Sequence, residues 1–339
     1  MTLVSEMSRQ FAFKPYRRAF REPLRTGHGT WTEREGFIIR IEESGQIGYG
    51  EVAPIPEFGS ETLQTAYNSL LRLAANPEAA IPQSAPCCRF GVSSAFEMAK
   101  NVGVDESSLG VKYEVSALLP AGKKAIGTLQ NKIKQGYLNF KWKIGVEPVF
   151  AELNRLQELV EIMPKGAQLR LDANGSLDLE TLQRLLVAIA PVVDKIEYVE
   201  QPLAVGHESV MAEMMAASGV SIALDESLNG EAGCDWLERW QGPLVVKPAL
   251  MGDVSQLLCR LKPVADRVIL SSVFETGVGL HNAFTLGNRV GASQRAVGFD
   301  TLEPFDDALQ PMKPAPVLDS QQCSFMDLEN IWKTLNQSS

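Results

Sequence analysis

The segment "LNFKWKIGVEPVFAELNRLQELVEIMPKGAQLRLDA", residues 138–173, contains two short apolar runs on either side of a helical pattern. The runs at 138–144 and 169–173 have the length and composition of buried strands. Between them, Leu153, Leu156 and Val160 recur at the spacing of one helix face. This order of strand, helix and strand predicts a β-α-β unit with parallel strands.

The same alternation extends over most of the chain. Further apolar runs that predict strands lie at 115–118, 198–201, 222–225, 245–247, 268–271 and 296–299. The segments between them carry leucines at helical spacing, and Asp253 is a predicted N-cap. Eight strands with intervening helices predict an α/β barrel, assigned here to residues 111–301.

Residues 1–110 have a different pattern, which predicts a separate α+β domain. A hairpin is expected through Ser44-Gly45, with helices at 60–76 and 93–101. Residues 26–30, "TGHGT", are expected to form a loop that closes over the active site. The proline-rich tail, residues 302–339, lacks strong periodicity and is expected to pack back against this domain.

Composition excludes several functional classes. The chain has 41 acidic and 32 basic residues, and the basic residues are scattered, which argues against nucleic-acid binding. The longest apolar run, residues 185–193, is too short to cross a bilayer, and the N-terminus lacks a signal-peptide pattern, so a cytoplasmic protein is expected. Five cysteines without C-x-x-C spacing indicate neither disulfides nor a zinc site. No feature indicates an oligomeric state.

Charged residues occur at the ends of the predicted barrel strands. Three carboxylates, Asp172, Glu200 and Asp225, lie 28 and 25 residues apart, which is about one strand-helix unit each. Active sites of such barrels gather at the C-terminal ends of the strands, so these groups are expected to converge. Converging carboxylates repel each other unless a cation lies among them, and oxygen ligands suit Mg²⁺ or Mn²⁺.

Lysines are found on the strands that flank the three carboxylates. Lys141 and Lys143 share one face of the preceding strand, and Lys247 ends the following strand. The charge of Lys141, together with the metal, is expected to favour a neutral Lys143 amine. The arrangement predicts that Lys143 is a general base for a carbon acid next to a carboxylate, so the expected partner is a small-molecule carboxylate.

The motifs "KWK", "DAN", "EQP", "LDES", "VVKP" and "SSVFETGVG", in this order and spacing, resemble the enolase superfamily in its muconate-lactonizing-enzyme branch. The resemblance covers nearly the whole chain and implies a modified TIM barrel of the (β/α)7β type with an N-terminal capping domain. It also implies that Asp172, Glu200 and Asp225 bind Mg²⁺. Lys143 would act as base and then acid, Lys247 would stabilise the intermediate from the opposite face, and Lys141 would assist Lys143.

Within that branch, "GFDTL" at residues 298–302 and the Arg170-Leu171-Asp172 sequence resemble the dehydratases of menaquinone and phylloquinone biosynthesis. This resemblance implies syn-elimination of water from 2-succinyl-6-hydroxy-2,4-cyclohexadiene-1-carboxylate through an enediolate. Candidate substrate-binding residues are Ser271, Ser272, Gly298, Arg170 and Asn174. The backbone N–H groups of "ETGVG", residues 275–279, are a further candidate site for a substrate carboxylate.

Two alternatives remain open at this point. N-succinylamino acid racemases and dipeptide epimerases use the same pair of opposed lysines, although the Asp-x-Asp pair usual in the epimerases is replaced by "SSVFETG". A non-catalytic protein on the same fold is the other alternative, and the completeness of the two lysines and three carboxylates argues against it.

Overall fold

The computed structural model describes residues 9–26, 29–100, 110–305, 307–310, 312–324 and 326–335. Gly27 and His28, and therefore the tip of the predicted closing loop, lie outside these ranges. No helix in the described part of the chain combines the length and the apolar character needed to cross a bilayer.

The N-terminal part is an antiparallel sheet packed on two helices. Its strands are β1 (Gln10–Thr26), β2 (Gly29–Glu43) and β3 (Gln46–Val52), and its helices are α1 (Leu63–Ala75) and α2 (Pro86–Lys100). Ser44 and Gly45 form the predicted hairpin turn, both with left-handed φ values of 54° and 78°. Helix α2 begins earlier than its pattern predicts because the distant Glu61 carboxylate accepts the N–H groups of Cys87 and Cys88.

The remainder alternates strands and helices as the sequence predicts. After β4 (Lys112–Glu114), the barrel strands are β5 (Ser116–Leu119), β6 (Asn139–Lys143), β7 (Gln168–Asp172), β8 (Ile196–Glu200), β9 (Ile222–Ala223), β10 (Leu244–Val246) and β11 (Val268–Leu270). The helices that follow the seven barrel strands are α3 (Lys124–Lys134), α4 (Val149–Ile162), α5 (Leu179–Ile189), α6 (Glu208–Ser218), α7 (Gly230–Arg239), α8 (Val254–Leu261) and α9 (Gly277–Val290).

Parallel pairing closes these strands into a barrel. Strands β5 to β9 form one sheet, β10 and β11 form a second, and the Leu224–Leu244 bridge joins them. The eighth predicted strand, 296–299, pairs through single bridges, with Gly298 joined to Ser271 and Val297 to Val115. The predicted fold class, a modified TIM barrel of the (β/α)7β type with an N-terminal capping domain, is therefore confirmed.

Asp300, in the "GFDTL" sequence, secures the seam where the barrel closes. Its carboxylate accepts the backbone N–H of Leu118 at 2.9 Å and lies 2.7 Å from Lys132 Nζ. Because Leu118 lies in β5 and Lys132 in α3, this buried carboxylate ties the last barrel segment to the first strand and helix.

The tail contacts both parts of the molecule. Strand β12 (Val317–Asp319) pairs antiparallel with β4, and α10 (Ser320–Ser324) and α11 (Leu328–Thr334) follow. Lys14 Nζ in β1 donates to the carbonyl oxygens of Trp332 and Leu335 at 2.9 and 3.1 Å. These contacts fit the expected return of the tail to the capping domain, while the boundary between residues 110 and 111 stays a prediction.

A layer of side chains inside the barrel determines which residues reach its mouth. Tyr198, Ala223, Val245 and Ile269 form a buried cluster of their own. Side chains alternate along a strand, so the residues two positions further on point the same way at the C-terminal ends. These residues are Glu200, Asp225, Lys247 and Ser271.

Candidate active site

Three of the predicted site residues lie level with one another on adjacent strands. Lys143 in β6 is the register partner of Asp172 in β7, which is in turn the partner of Glu200 in β8. Asp225 follows β9 and Lys247 follows β10, so the lysines Lys143 and Lys247 flank the carboxylates along the rim. The structure thus brings the predicted constellation together at one barrel mouth.

Lys141 lies between two of the carboxylates. Its Nζ atom is 2.9 Å from Asp172 Oδ2 and 2.6 Å from Glu200 Oε1. Burial lowers the pKa of Lys141, but Asp172 and Glu200 outweigh burial and hold that pKa well above its usual value. Lys141 therefore stabilises the negative charge of Asp172 and Glu200, which it contacts directly.

The two carboxylates that Lys141 contacts differ in their titration. Burial raises the pKa of Asp172, but the charges of Lys141 and Lys143 outweigh it and the pKa is lowered. The pKa of Glu200 is raised well above its usual range, first by burial and then by repulsion from Asp172. A further cation beside Glu200 would reverse this shift.

Asn174 links the predicted base to a second acidic residue. Lys143 Nζ donates to Asn174 Oδ1, and Asn174 Nδ2 donates to Glu226 Oε1 at 3.0 Å. The Asn174 backbone has a left-handed φ of 45°, and its N–H donates to Asp172 Oδ1 at 3.1 Å. Asn174 thus contacts the predicted base directly, and its binding of substrate stays a prediction.

Lys247 contacts one residue from each domain. Its Nζ atom lies 2.5 Å from both carboxylate oxygens of Asp225 and 4.9 Å from the centre of the Phe58 ring. Burial lowers the pKa of Lys247, but Asp225 and Glu226 outweigh it and raise that pKa above its usual value. The capping domain therefore reaches the barrel mouth through an aromatic face over a cation.

The donor set fits a divalent cation. Glu200 Oε2 is buried and has no hydrogen-bond partner, which is costly for a carboxylate unless a cation binds there. Within the described ranges, no three acidic, histidine or cysteine side chains lie close enough together, as they stand, to hold one metal ion. Lys141 contacts Asp172 and Glu200, and Lys247 contacts Asp225. Asp172, Glu200 and Asp225 are the residues that would hold Mg²⁺ or Mn²⁺.

The two predicted serines have different environments. Ser271 lies at the mouth, and its Oγ would be 2.7 Å from a Cβ atom added to Gly298, so glycine permits this close packing. Ser272 is turned away from the mouth: its Oγ donates to the Glu275 carboxylate and accepts from Thr301 Oγ1 at 2.7 Å. Ser271 and Gly298 thus remain candidates for substrate contact, and Ser272 is occupied within the protein.

Two other predicted substrate contacts are not supported by the arrangement. Arg170 lies one layer below the mouth, fully buried against Tyr198, and its Nε donates to Glu197 Oε2 at 2.6 Å. The N–H groups of Thr276 and Gly279 at the start of α9 donate to the carboxylate of Glu51, which fills the expected anion site. The sequence pattern could not reveal either partner because both come from other elements.

Comparison with known proteins gives matches over most of the chain. The family model "Enolase C-terminal domain-like" matches residues 126–242, and "MenC, N-terminal domain" matches residues 16–99. The chain is 36% identical to the o-succinylbenzoate synthase of Thermosynechococcus vestitus, covering 82% of this chain and 88% of the relative. The chain belongs to the o-succinylbenzoate synthase family. The Photorhabdus laumondii member is 27% identical, with 84% and 88% covered.

Solved structures of this family and its superfamily share the fold. The o-succinylbenzoate synthase of Thermosynechococcus elongatus, complexed with magnesium in its active site, superposes with a TM-score of 0.81 at 31% identity, covering 96% of this chain and 100% of that chain. The L-Ala-D/L-Glu epimerase of Bacillus subtilis gives 0.73 at 18% identity, covering 91% and 95%. The second match shows the fold alone.

Two residues beside the site of this o-succinylbenzoate synthase family member, Glu226 and Phe58, had no role predicted from the sequence. Glu226 directly follows Asp225, and burial together with repulsion from Asp225 raises its pKa to about 7. Its place beside the third carboxylate in "LDES" was the available signal. Phe58 had no such signal, because only tertiary packing brings the turn that contains it over Lys247.

Proposed function

We propose that this protein is a metal-dependent dehydratase that converts 2-succinyl-6-hydroxy-2,4-cyclohexadiene-1-carboxylate to 2-succinylbenzoate, as the names of its relatives suggest. The observation that carries the proposal is the position of Lys143 and Lys247 on opposite sides of three carboxylates at one barrel mouth. The reaction class is carbon–oxygen lyase, and the substrate is a small carboxylate. The chemistry belongs to menaquinone or phylloquinone biosynthesis.

In the proposed reaction, the Lys143 amine takes the proton from the carbon next to the carboxylate. The same ammonium then gives its proton to the departing hydroxyl on the same face, so that water leaves and the ring becomes aromatic. Asn174 holds Lys143 at the mouth through the hydrogen bond to Lys143 Nζ. Lys247 places positive charge on the opposite side and stabilises negative charge as it develops.

Asp172, Glu200 and Asp225 would hold the ion, Mg²⁺ or Mn²⁺, which when bound neutralises charge on the substrate carboxylate. Lys141 compensates the charge of Asp172 and Glu200 from below. Since the Lys247 ammonium contacts both Asp225 oxygens, binding of the ion must compete with that ion pair. With the ion bound, the Lys247 ammonium would turn from Asp225 toward the substrate.

An ultraviolet assay of the purified protein with Mg²⁺ and the cyclohexadiene substrate tests this function. A parallel assay follows deuterium exchange at the α-carbon of N-succinylamino acids. Fast dehydration with little exchange is the expected result. Fast exchange with slow dehydration would instead identify an N-succinylamino acid racemase or dipeptide epimerase that uses the same lysine pair.

A further inference from the structure

Glu51 of the capping domain is buried at the start of a barrel helix. It lies in β3 and is 1% exposed, and one of its oxygens accepts the Tyr16 hydroxyl at 2.7 Å. The other accepts the N–H groups of Thr276 and Gly279, each at 2.9 Å, and the Thr276 hydroxyl. A Cβ atom added to Gly279 would lie 2.7 Å from Glu51 Oε2, so this approach depends on glycine.

A second glutamate of the same domain provides an internal comparison. Glu61 is also buried, and its carboxylate accepts the N–H groups of Cys87 and Cys88 at 3.1 and 2.8 Å at the start of α2. Both carboxylates satisfy N–H groups that a helix start leaves unpaired. The helix that Glu61 caps lies in its own domain, whereas α9 belongs to the barrel.

The segment just before α9 is held in a conformation that needs such support. Phe274 has a left-handed φ of 61°, which is strained for a bulky side chain. The capping domain holds the flanking carbonyls: Arg34 Nε donates to Val273 O and Arg18 Nη1 donates to Glu275 O, both at 3.0 Å. Together with Glu51, these side chains fix the turn between β11 and α9.

Aromatic contacts connect this turn to the catalytic lysine. The Phe274 and Trp31 ring centres are 6.3 Å apart, and those of Trp31 and Phe58 are 5.8 Å apart. Phe58 in turn lies 4.9 Å from Lys247 Nζ. Ser271, at the mouth, begins the same turn. Thr276 is thus connected to Ser271 along the chain, and to the Phe58 ring through Phe274 and Trp31.

We propose that Glu51 is a positioning residue of the active site. By filling the start of α9, its carboxylate fixes the turn at residues 271–276 and, through Phe274 and Trp31, the position of Phe58 over Lys247. Glu51 touches neither substrate nor metal in this assignment. The inference rests on the proposed dehydratase function, and it excludes the start of α9 as the site of a substrate carboxylate.

The test compares Glu51→Ala with Glu61→Ala, which removes a similar carboxylate from the start of a helix of the capping domain. Glu51→Ala leaves a cavity lined by unpaired N–H groups, so formate at a concentration that leaves the wild-type rate unchanged is the probe. We expect kcat/KM for dehydration to fall roughly 10- to 100-fold, the cost of misplacing active-site groups, with a raised KM. Formate should restore much of that loss, and Glu61→Ala should keep wild-type KM and show no rescue.

Hydrogen exchange gives a readout that does not depend on activity. In Glu51→Ala, amides of residues 271–279 should exchange faster and formate should slow them, whereas in Glu61→Ala the change should appear in α2. If Glu51→Ala does not fold, the isosteric Glu51→Gln is compared with Glu61→Gln by KM and by exchange at 271–279. The inference is overturned if the Glu51 variants have the same kinetics as the matching Glu61 variants. It is also overturned if the Glu51 variants lose stability without a change in KM.

The result separates this inference from the proposed function. If the wild-type protein catalyses deuterium exchange at the α-carbon of N-succinylamino acids but does not dehydrate the cyclohexadiene, the dehydratase proposal is refuted. Amide hydrogen exchange at residues 271–279 still decides whether Glu51 fixes the turn. Conversely, an active wild type with an unaltered turn in Glu51→Ala refutes the role of Glu51 alone.

Discussion

The Lys247 ammonium lies 2.5 Å from both oxygens of the Asp225 carboxylate. Each partner neutralises the other in a buried setting where an isolated charge would be costly. The same carboxylate is one of the three proposed metal ligands, so a metal ion and the ammonium compete for it. Metal binding at Asp225 would therefore change the orientation of Lys247, the proposed catalytic group on the opposite side of the mouth.

Metal binding should stabilise the fold. A site that binds only in the folded protein adds about 2.7 kcal/mol to the free energy of unfolding at 100 times its dissociation constant. We expect Mg²⁺ to raise the melting temperature of the wild type and chelator to abolish dehydration reversibly. Glu200→Gln should lose the Mg²⁺-dependent shift, and Glu161→Gln, on the exposed face of α4, should keep it. Full activity in chelator would refute the carboxylates as a metal site.

Replacing the proposed base should stop the reaction without unfolding the protein. Lys143→Ala removes the group that accepts the proton, and general-base catalysis typically contributes about 10²- to 10⁴-fold. We expect no measurable dehydration in the ultraviolet assay and an unchanged circular dichroism spectrum. Lys134→Ala, at an exposed lysine of α3, serves as the control and should retain full activity. A Lys143→Ala protein that still turns over would show that another residue is the base.

The aromatic ring over Lys247 should contribute to catalysis. A desolvated cation–π contact is worth about 1 to 2 kcal/mol, which corresponds to roughly tenfold in rate or affinity. Phe58→Leu keeps an apolar side chain but loses the ring face, so we expect kcat/KM to fall about tenfold. Phe150→Leu, at a phenylalanine 70% exposed on α4, is the matched control. Equal kinetics for the two variants would argue against a role for the Phe58 ring.

Glu275 should make stability depend on pH. Burial raises its pKa from 4.5 to about 7, although the Ser272 hydroxyl opposes the shift. The folded protein keeps a proton that the unfolded chain loses, so this group destabilises the fold progressively as pH rises from about 4.5 to about 7.

Glu275→Gln mimics the protonated form. Its free energy of unfolding, relative to that of the wild type, should rise by roughly 3 kcal/mol between pH 4.5 and 7. Urea unfolding of both proteins at several pH values measures this difference. Glu161→Gln should follow the wild-type curve. If the difference in unfolding free energy between Glu275→Gln and wild type does not change with pH, Glu275 ionises at the same pH in the folded protein as in the unfolded chain.

The sequence determined the barrel and its principal charged residues. Apolar runs alternating with helix-period leucines predict parallel strands, because periodicity follows from which faces are buried. The positions of Lys143, Asp172, Glu200, Asp225 and Lys247 at strand ends then follow from side-chain alternation. Spacing by about one strand-helix unit was enough to bring these groups to one mouth.

Only the tertiary structure decided which partners those groups have. Lys141 binds carboxylates, Asn174 holds Lys143, and Arg170 turns to Glu197 below the mouth. These choices depend on distances between side chains from different elements, which local sequence patterns do not encode. The start of α9 shows this most clearly: its N–H groups predict an anion site, and a carboxylate from a strand 225 residues away fills it.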